Sequence, residues 1–171
     1  MNRHPGGEEH SRHMIALAGL AKASKWLDMG AGAGETVRLL RTMGYEACGI
    51  DLHPGSEDVM QGDYLAAPYD DGSFDGIISQ CSFYVSGDVP RALQEAGRLL
   101  RKGGKLVFSD VTEDAKLLMA QCCRSGFAVQ HTEDLTPAWR EYYLEALWTQ
   151  ENVCLPHGKK FRYVLCVCER M

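Results

Sequence analysis

The sequence predicts an α/β fold: a mostly parallel sheet with helices on both faces. Three observations predict it. Strand-like and helix-like patterns alternate along the chain, several strand runs are short and apolar, and no repeat or linker interrupts them. In order, MIALAGLAKAS (14–24) has a short helical pattern and KWLDMG (25–30) reads as a buried strand. ETVRLLRTMG places Val37, Leu40 and Met43 on one helical stripe, with Gly44 at the stop position. EACGID is a second strand, DVMQGD (58–63) a weaker third, and FDGIIS (74–79) a fourth, bounded by the turn cluster DDGS. Asp88 is placed to cap a helix over VPRALQEAGRLLR, whose Val89, Leu93, Ala96 and Leu100 share a face; Gly103 and Gly104 end it. The strand KLVFSDV, a helix over about 113–124, GFAVQH, a helix in PAWREYYLEALW and the closing strand FRYVLCVCE complete the series. One domain is expected over 1–171, with 1–23 an N-terminal lid or helix and 24–171 the core.

Composition narrows the function classes. The net charge is −5, with no Lys/Arg block beyond Lys159-Lys160, so a nucleic-acid partner is disfavoured: phosphate binding wants a basic face. No apolar run is long enough for a membrane span, and MNRHPGGEEHSRH lacks the apolar stretch of a signal peptide; the expectation is a cytoplasmic protein with no membrane partner. The seven cysteines are odd in number and lack CxxC spacing, which suits free thiols in a reducing compartment. No His/Cys/Asp/Glu cluster has zinc spacing, so no metal is expected. Cys122-Cys123 invites a metalloid-site reading, but adjacent helical residues do not face each other.

WLDMGAGAGET carries the chemistry. A strand ends in Asp28, and Gly30, Gly32 and Gly34 follow at alternate positions, letting a ligand lie against bare backbone before a helix N-terminus. A phosphate loop would close with Gly-Lys-Ser/Thr, yet no Lys or Arg occurs from Leu27 to Val37. The spacing is G-x-G-x-G rather than the dinucleotide G-x-G-x-x-G, and Glu35 would repel phosphates. Asp28 points to a cationic ligand end, which suits S-adenosylmethionine. Asp51, ending the second strand, is placed to accept from both hydroxyls of a ribose, and Asp63 to accept from an adenine amino group.

With these residues in place, the sequence resembles the class I S-adenosylmethionine-dependent methyltransferases. The matching segments are WLDMGAGAGET, GIDLH, QGDYLAAPYDDGSFDGIIS and ALQEAGRLLRKGGKLVFSDV, spanning about 24–111. The resemblance implies a Rossmann-like sheet of seven strands, the last antiparallel and inserted beside the fifth. It implies Asp28, Met29, Gly30, Ala31, Gly32 and Gly34 around the methionine end of the cofactor and Asp51 at the ribose. Leu52 would pack on the adenine, Asp63 would bind its amino group, Gln80 would lie near the methionine moiety, and Tyr64 is counted among the cofactor-binding residues. HPGG resembles the N-terminal segment of small members that folds over the cofactor. One departure stands out: only twelve residues separate Asp51 from Asp63, too short for the usual crossover helix, so either the third strand is rudimentary or one sheet face lacks its helix there.

Methyl transfer from a sulfonium needs alignment above all, and a base only where the acceptor holds a proton, so no catalytic residue is assigned. Tyr84, His10 and Trp139 are candidate acceptor contacts, each set against ordinary packing or exposure. Asp110 is a candidate helix cap or substrate contact. Little material lies outside the core, which favours a small-molecule acceptor; oligomeric state is open. A non-catalytic cofactor-binding or partner subunit is the alternative, and an NAD(P)-binding oxidoreductase the more distant one.

Overall fold

In the computed structural model, residues 5–148 and 160–171 are described. Seven strands form one sheet in the order β3-β2-β1-β4-β5-β7-β6: β1 (Lys25–Met29), β2 (Glu46–Asp51), β3 (Val59–Gln61), β4 (Phe74–Gln80), β5 (Leu100–Thr112), β6 (Phe127–Asp134) and β7 (Arg162–Arg170). The pairs from β3 through β5 are parallel, and β7 runs antiparallel to both β5 and β6. The expected insertion of the last strand beside the fifth is thus observed.

Alternation along the strands sorts side chains onto two faces. Trp26, Ile78, Val107 and Leu165 pack under α1 (Gly7–Ala18) and α2 (Glu35–Thr42), whose Met14, Ile15, Leu39 and Leu40 are buried there. Their sequence neighbours Leu27, Ile77, Leu106 and Cys166 face the other way, against Ala92, Leu93 and Ala96 of α3 (Val89–Leu99) and Leu118 and Cys122 of α4 (Ala115–Arg124). Helix α5 (Thr136–Trp148) packs on β7 through Trp139, which clusters with Phe161 and Tyr163. Caps fall where short acidic side chains precede the helices: Asp88 accepts from the Arg91 N–H, and Asp114 from those of Lys116 and Leu117.

Several boundaries depart from expectation. The first helix starts seven residues before the predicted Met14 and ends at Gly19, whose φ of +63° reverses the chain; residues 20–24 are turn, not helix. Its first half is polar, so apolar periodicity locates only the second. Helix α3 stops at Leu99 because Leu100 is already extended and pairs with Phe74, so the glycines at 103 and 104 sit inside a bulged β5 rather than at a helix end.

The short connection after Asp51 is resolved as both alternatives together: β3 has three residues and the link to it carries no helix. The link is fastened to the glycine loop instead. Gly55 N–H donates to Gly32 O (2.8 Å), Ser56 Oγ to Ala33 O (2.9 Å), and Arg38 and Arg41 of α2 both reach Asp58.

Candidate cofactor and acceptor site

At the carboxyl ends of β1 and β4 a cavity of about 190 Å³ is lined by Asp28, Gly30, Ala31, Gly32, Ala33, Glu35, Thr36, Gln80 and Cys81. Five of these were predicted from the sequence; Ala33, Glu35, Thr36 and Cys81 were not assigned as site residues, although Ala33, Glu35 and Cys81 each flank one that was and Thr36 lies two residues past Gly34. No Lys or Arg lines the cavity. Asp28 is 3% exposed, and burial, followed by the nearby Asp51 charge, pushes its carboxyl up to about 7. Among the described residues no hydrogen bond reaches that carboxyl.

The loop geometry explains the glycines. Gly30 has φ +83°, and a Cβ there would stand 2.0 Å from Ser82 Oγ, so no side chain fits. Gly34 forms the left-handed N-cap of α2 and faces Ser56 and Val59 rather than the cavity. Met29 is a core side chain; only its carbonyl is at the strand end, where it accepts from Ser79 Oγ. Gln80 is held from two sides: Thr36 Oγ1 donates to its Oε1 (3.0 Å), and Ser11 of α1 lies within 3.2 Å of its Nε2.

Asp51 turns one oxygen to the Gly32 N–H and the other to the His53 N–H, both at 2.8 Å, leaving further lone pairs on each. Beside it Leu52 is 54% exposed, an apolar side chain presented to solvent at the helix-free edge. Asp63 is exposed and accepts from the Leu65 N–H at the start of a short 3-10 turn, which fixes its backbone. Tyr64 points into the core, where its hydroxyl donates to Ser82 O (2.8 Å). The expected residues therefore form two groups: Asp28, the glycine loop and Gln80 around the cavity, and Asp51, Leu52 and Asp63 along the adjoining open edge.

On the far side of Cys81 lie the candidate acceptor contacts. Tyr84 is 36% exposed and meets Phe161 edge-on, with ring centroids 5.6 Å apart. Trp139 stacks over Tyr163 and is buried, and its indole N–H has no partner among the described residues. His10 is half-buried with Nε2 3.1 Å from Ser109 Oγ, whereas His13 is exposed against Glu133. Asp110 caps no helix, since Asp114 does; it accepts from the backbone N–H groups of Tyr84 (3.0 Å) and Val111 (2.8 Å) and ties the loop after β4 to β5. Cys122 is buried and Cys123 exposed, as their adjacency implied; Cys154 lies outside the described residues. Among the described residues no group of three His, Cys, Asp or Glu side chains is arranged to hold a metal ion.

The family described as "Methyltransferase domain" matches residues 27–108. A sarcosine/dimethylglycine N-methyltransferase from Halorhodospira halochloris is 36% identical over 101 residues, covering 49% of this chain and 36% of that protein. This chain thus spans about a third of that relative's length. An uncharacterized methyltransferase from Anoxybacillus flavithermus is 31% identical over 148 residues, 77% of this chain and 68% of that protein. Among solved structures, a Haemonchus contortus phosphoethanolamine N-methyltransferase has a TM-score of 0.79 at 15% identity, covering 98% of this chain and 53% of that one, which shows the fold. With strand order, glycine loop and relatives in agreement, the chain belongs to the class I S-adenosylmethionine-dependent methyltransferases.

Proposed function

We propose that this chain binds S-adenosylmethionine across the carboxyl ends of β1, β2 and β3 and transfers its methyl group to a small-molecule acceptor, as a single-domain cytoplasmic enzyme without nucleic-acid or membrane partners. The observation that carries the reading is a cavity with a buried, unpaired acid and no basic lining, joined to an edge where a carboxylate and an exposed leucine stand side by side. Asp28 offers its carboxylate to the ligand's ammonium, while Gly30, Ala31 and Gly32 let the backbone approach it and Gly34 caps the helix behind them. Gln80 and Thr36 border the methionine end, Asp51 accepts from the ribose hydroxyls, and Leu52 and Asp63 frame the adenine, while Tyr64, turned into the core, supports the loop behind them. When bound, the cofactor supplies an electrophilic methyl on a good leaving group; the protein's part is alignment and exclusion of water. Tyr84, His10 and Trp139 are the residues proposed to meet the acceptor. Among the described residues no helix is long and apolar enough to cross a membrane.

A non-catalytic cofactor-binding subunit is the second reading, favoured by the helix-free β2–β3 edge. Calorimetric titration with S-adenosylhomocysteine and with NADH, followed by turnover on an acceptor panel, separates the readings. The proposal expects the first ligand to bind and the second not to; NADH binding alone sinks it, and binding without turnover on any acceptor favours the subunit. Asp51→Ala should weaken S-adenosylhomocysteine binding by about 1.5–3 kcal/mol, as for other charged hydrogen bonds. An unchanged Kd in the folded variant removes Asp51 from the site.

A further inference from the structure

A hydrogen-bonded chain links the cofactor cavity to the N-terminal helix through four elements. Cys81 Sγ, in the cavity lining, is 3.3 Å from Tyr163 Oη on β7; Tyr163 Oη is 2.9 Å from Ser109 Oγ on β5; Ser109 Oγ is 3.1 Å from His10 Nε2 on α1. We propose that this chain is the path by which the acceptor's proton leaves the site, ending on His10. The inference rests on the methyltransferase reading and narrows its acceptor to a molecule that sheds a proton on methylation, such as an ammonium, a hydroxyl or a thiol.

The geometry lets every group play both roles. Cys81 S–H donates to Tyr163, the Tyr163 hydroxyl to Ser109, and the Ser109 hydroxyl to an unprotonated His10 Nε2. Tyr163 and Ser109 are fully buried, whereas His10 is half-buried and has an outlet to solvent. Burial pushes the Cys81 thiol up to about 12 and the Tyr163 hydroxyl well above its ordinary value, so both stay neutral at rest. Of these side-chain types, imidazole alone ordinarily takes up a proton near neutral pH. A buried polar chain drawn from four elements costs desolvation that apolar packing would avoid, so a packing role for α1 does not call for it. A separate observation leaves a donor open beside the path. Cys81 packs against the cluster of Trp139, Phe161 and Tyr163, where the buried indole N–H of Trp139 lacks an acceptor among the described residues.

The step balances. The acceptor's proton passes to Cys81 sulfur as the thiol's own proton moves to Tyr163, Tyr163's to Ser109 and Ser109's to His10, leaving an imidazolium. The freed pair on the acceptor forms the bond to the methyl carbon; the carbon–sulfur bond breaks with its pair kept on sulfur. His10 then releases its proton to water.

The test needs no acceptor. Alkylation of each cysteine by iodoacetamide is followed by peptide mass spectrometry at one fixed pH in the full chain, in His10→Gln and in Tyr163→Phe. Exposed Cys123 on α4, remote from the path, serves as internal reference. Either substitution should slow Cys81 relative to Cys123 by at least about tenfold, because a thiol reacts as its proton departs. Equal or faster Cys81 alkylation in folded His10→Gln overturns the proposal; the faster outcome is what a chain that merely holds α1 in place would give. The half-buried His10 keeps the test decisive if Tyr163→Phe does not fold. S-adenosylhomocysteine binding is measured alongside: its absence in the unaltered protein strikes the methyltransferase reading while leaving the alkylation result to judge the path.

Discussion

Asp28 and Asp110 close β1 and β5 at the same edge of the sheet, are 3% and 4% exposed, and both have carboxyls raised by burial, to about 7 and about 6. Their surroundings differ in one respect. Asp110 is ringed by backbone N–H donors from the loop after β4 and from its own strand, which partly offset its burial. Asp28 has none among the described residues, and its second neighbour is another carboxylate, Asp51. Equal burial thus serves two ends: one acid is a fastener whose bonds are made within the protein, the other a charge with no hydrogen-bond donor among the described residues, which under the proposed function a cationic ligand would meet. The satisfaction of a buried charge, more than its burial or its shifted pKa, separates structural from binding acids.

Opposite signs of stability change give the largest test of this contrast. Asp110→Ala strips two buried amides of their acceptor and should lower unfolding free energy by roughly 1–3 kcal/mol, even after relief of the buried charge. Asp28→Asn removes a charge with no partner to lose and should raise stability by roughly 1–3 kcal/mol at pH 8. The sign follows from linkage. A folded pKa near 7 against an ordinary value of 3.8 means that the ionised group opposes folding above pH 7, a cost that fades as pH falls toward 4. Urea melts of both variants at pH 8 check this, and shifts of the same sign break the comparison.

Next in size, Asp28→Asn should weaken S-adenosylhomocysteine binding about 10- to 100-fold by calorimetry, since an ammonium loses its counter-charge. Undiminished affinity would make Asp28 a structural acid after all. Smallest is the pH effect. A ligand cation holds Asp28 ionised, so binding displaces a proton around pH 7, and Kd should be about tenfold weaker at pH 6 than at pH 8. The dependence should vanish in Asp28→Asn.

Legibility in the sequence follows the same divide. The glycine loop and its aspartates belong to contiguous strand–turn–helix units whose spacing is local, so the cavity-lining Asp28, Gly30, Ala31, Gly32 and Gln80 could all be named as candidates before the fold was known. The proposed acceptor side is assembled by tertiary pairing: His10 meets Ser109 across 99 positions, Cys81 meets Tyr163 across 82, and Ser109 meets Tyr163 across 54. No periodicity records such meetings. Of the other cavity-lining residues, Cys81 follows the assigned Gln80 and Thr36 lies two past Gly34; neither type marks a cofactor site by itself, so neither was assigned. The first helix shows the limit of pattern reading at an edge: Glu8, Glu9 and Arg12 face solvent, so the turns that carry His10 and Ser11 to the site have little apolar stripe.

The helix-free link after Asp51 bears on traffic through the site. In the proposed pose, a ligand stretched from Asp28 to Leu52 is enclosed at its methionine end and open to water along its flat end. In that pose spent cofactor would leave across the open rim, away from α1, which Ser11 and His10 tie to Gln80 and Ser109. If both proposals hold, cofactor exchange at the β2–β3 edge and proton release at His10 use different elements of the fold, so one need not wait on the other.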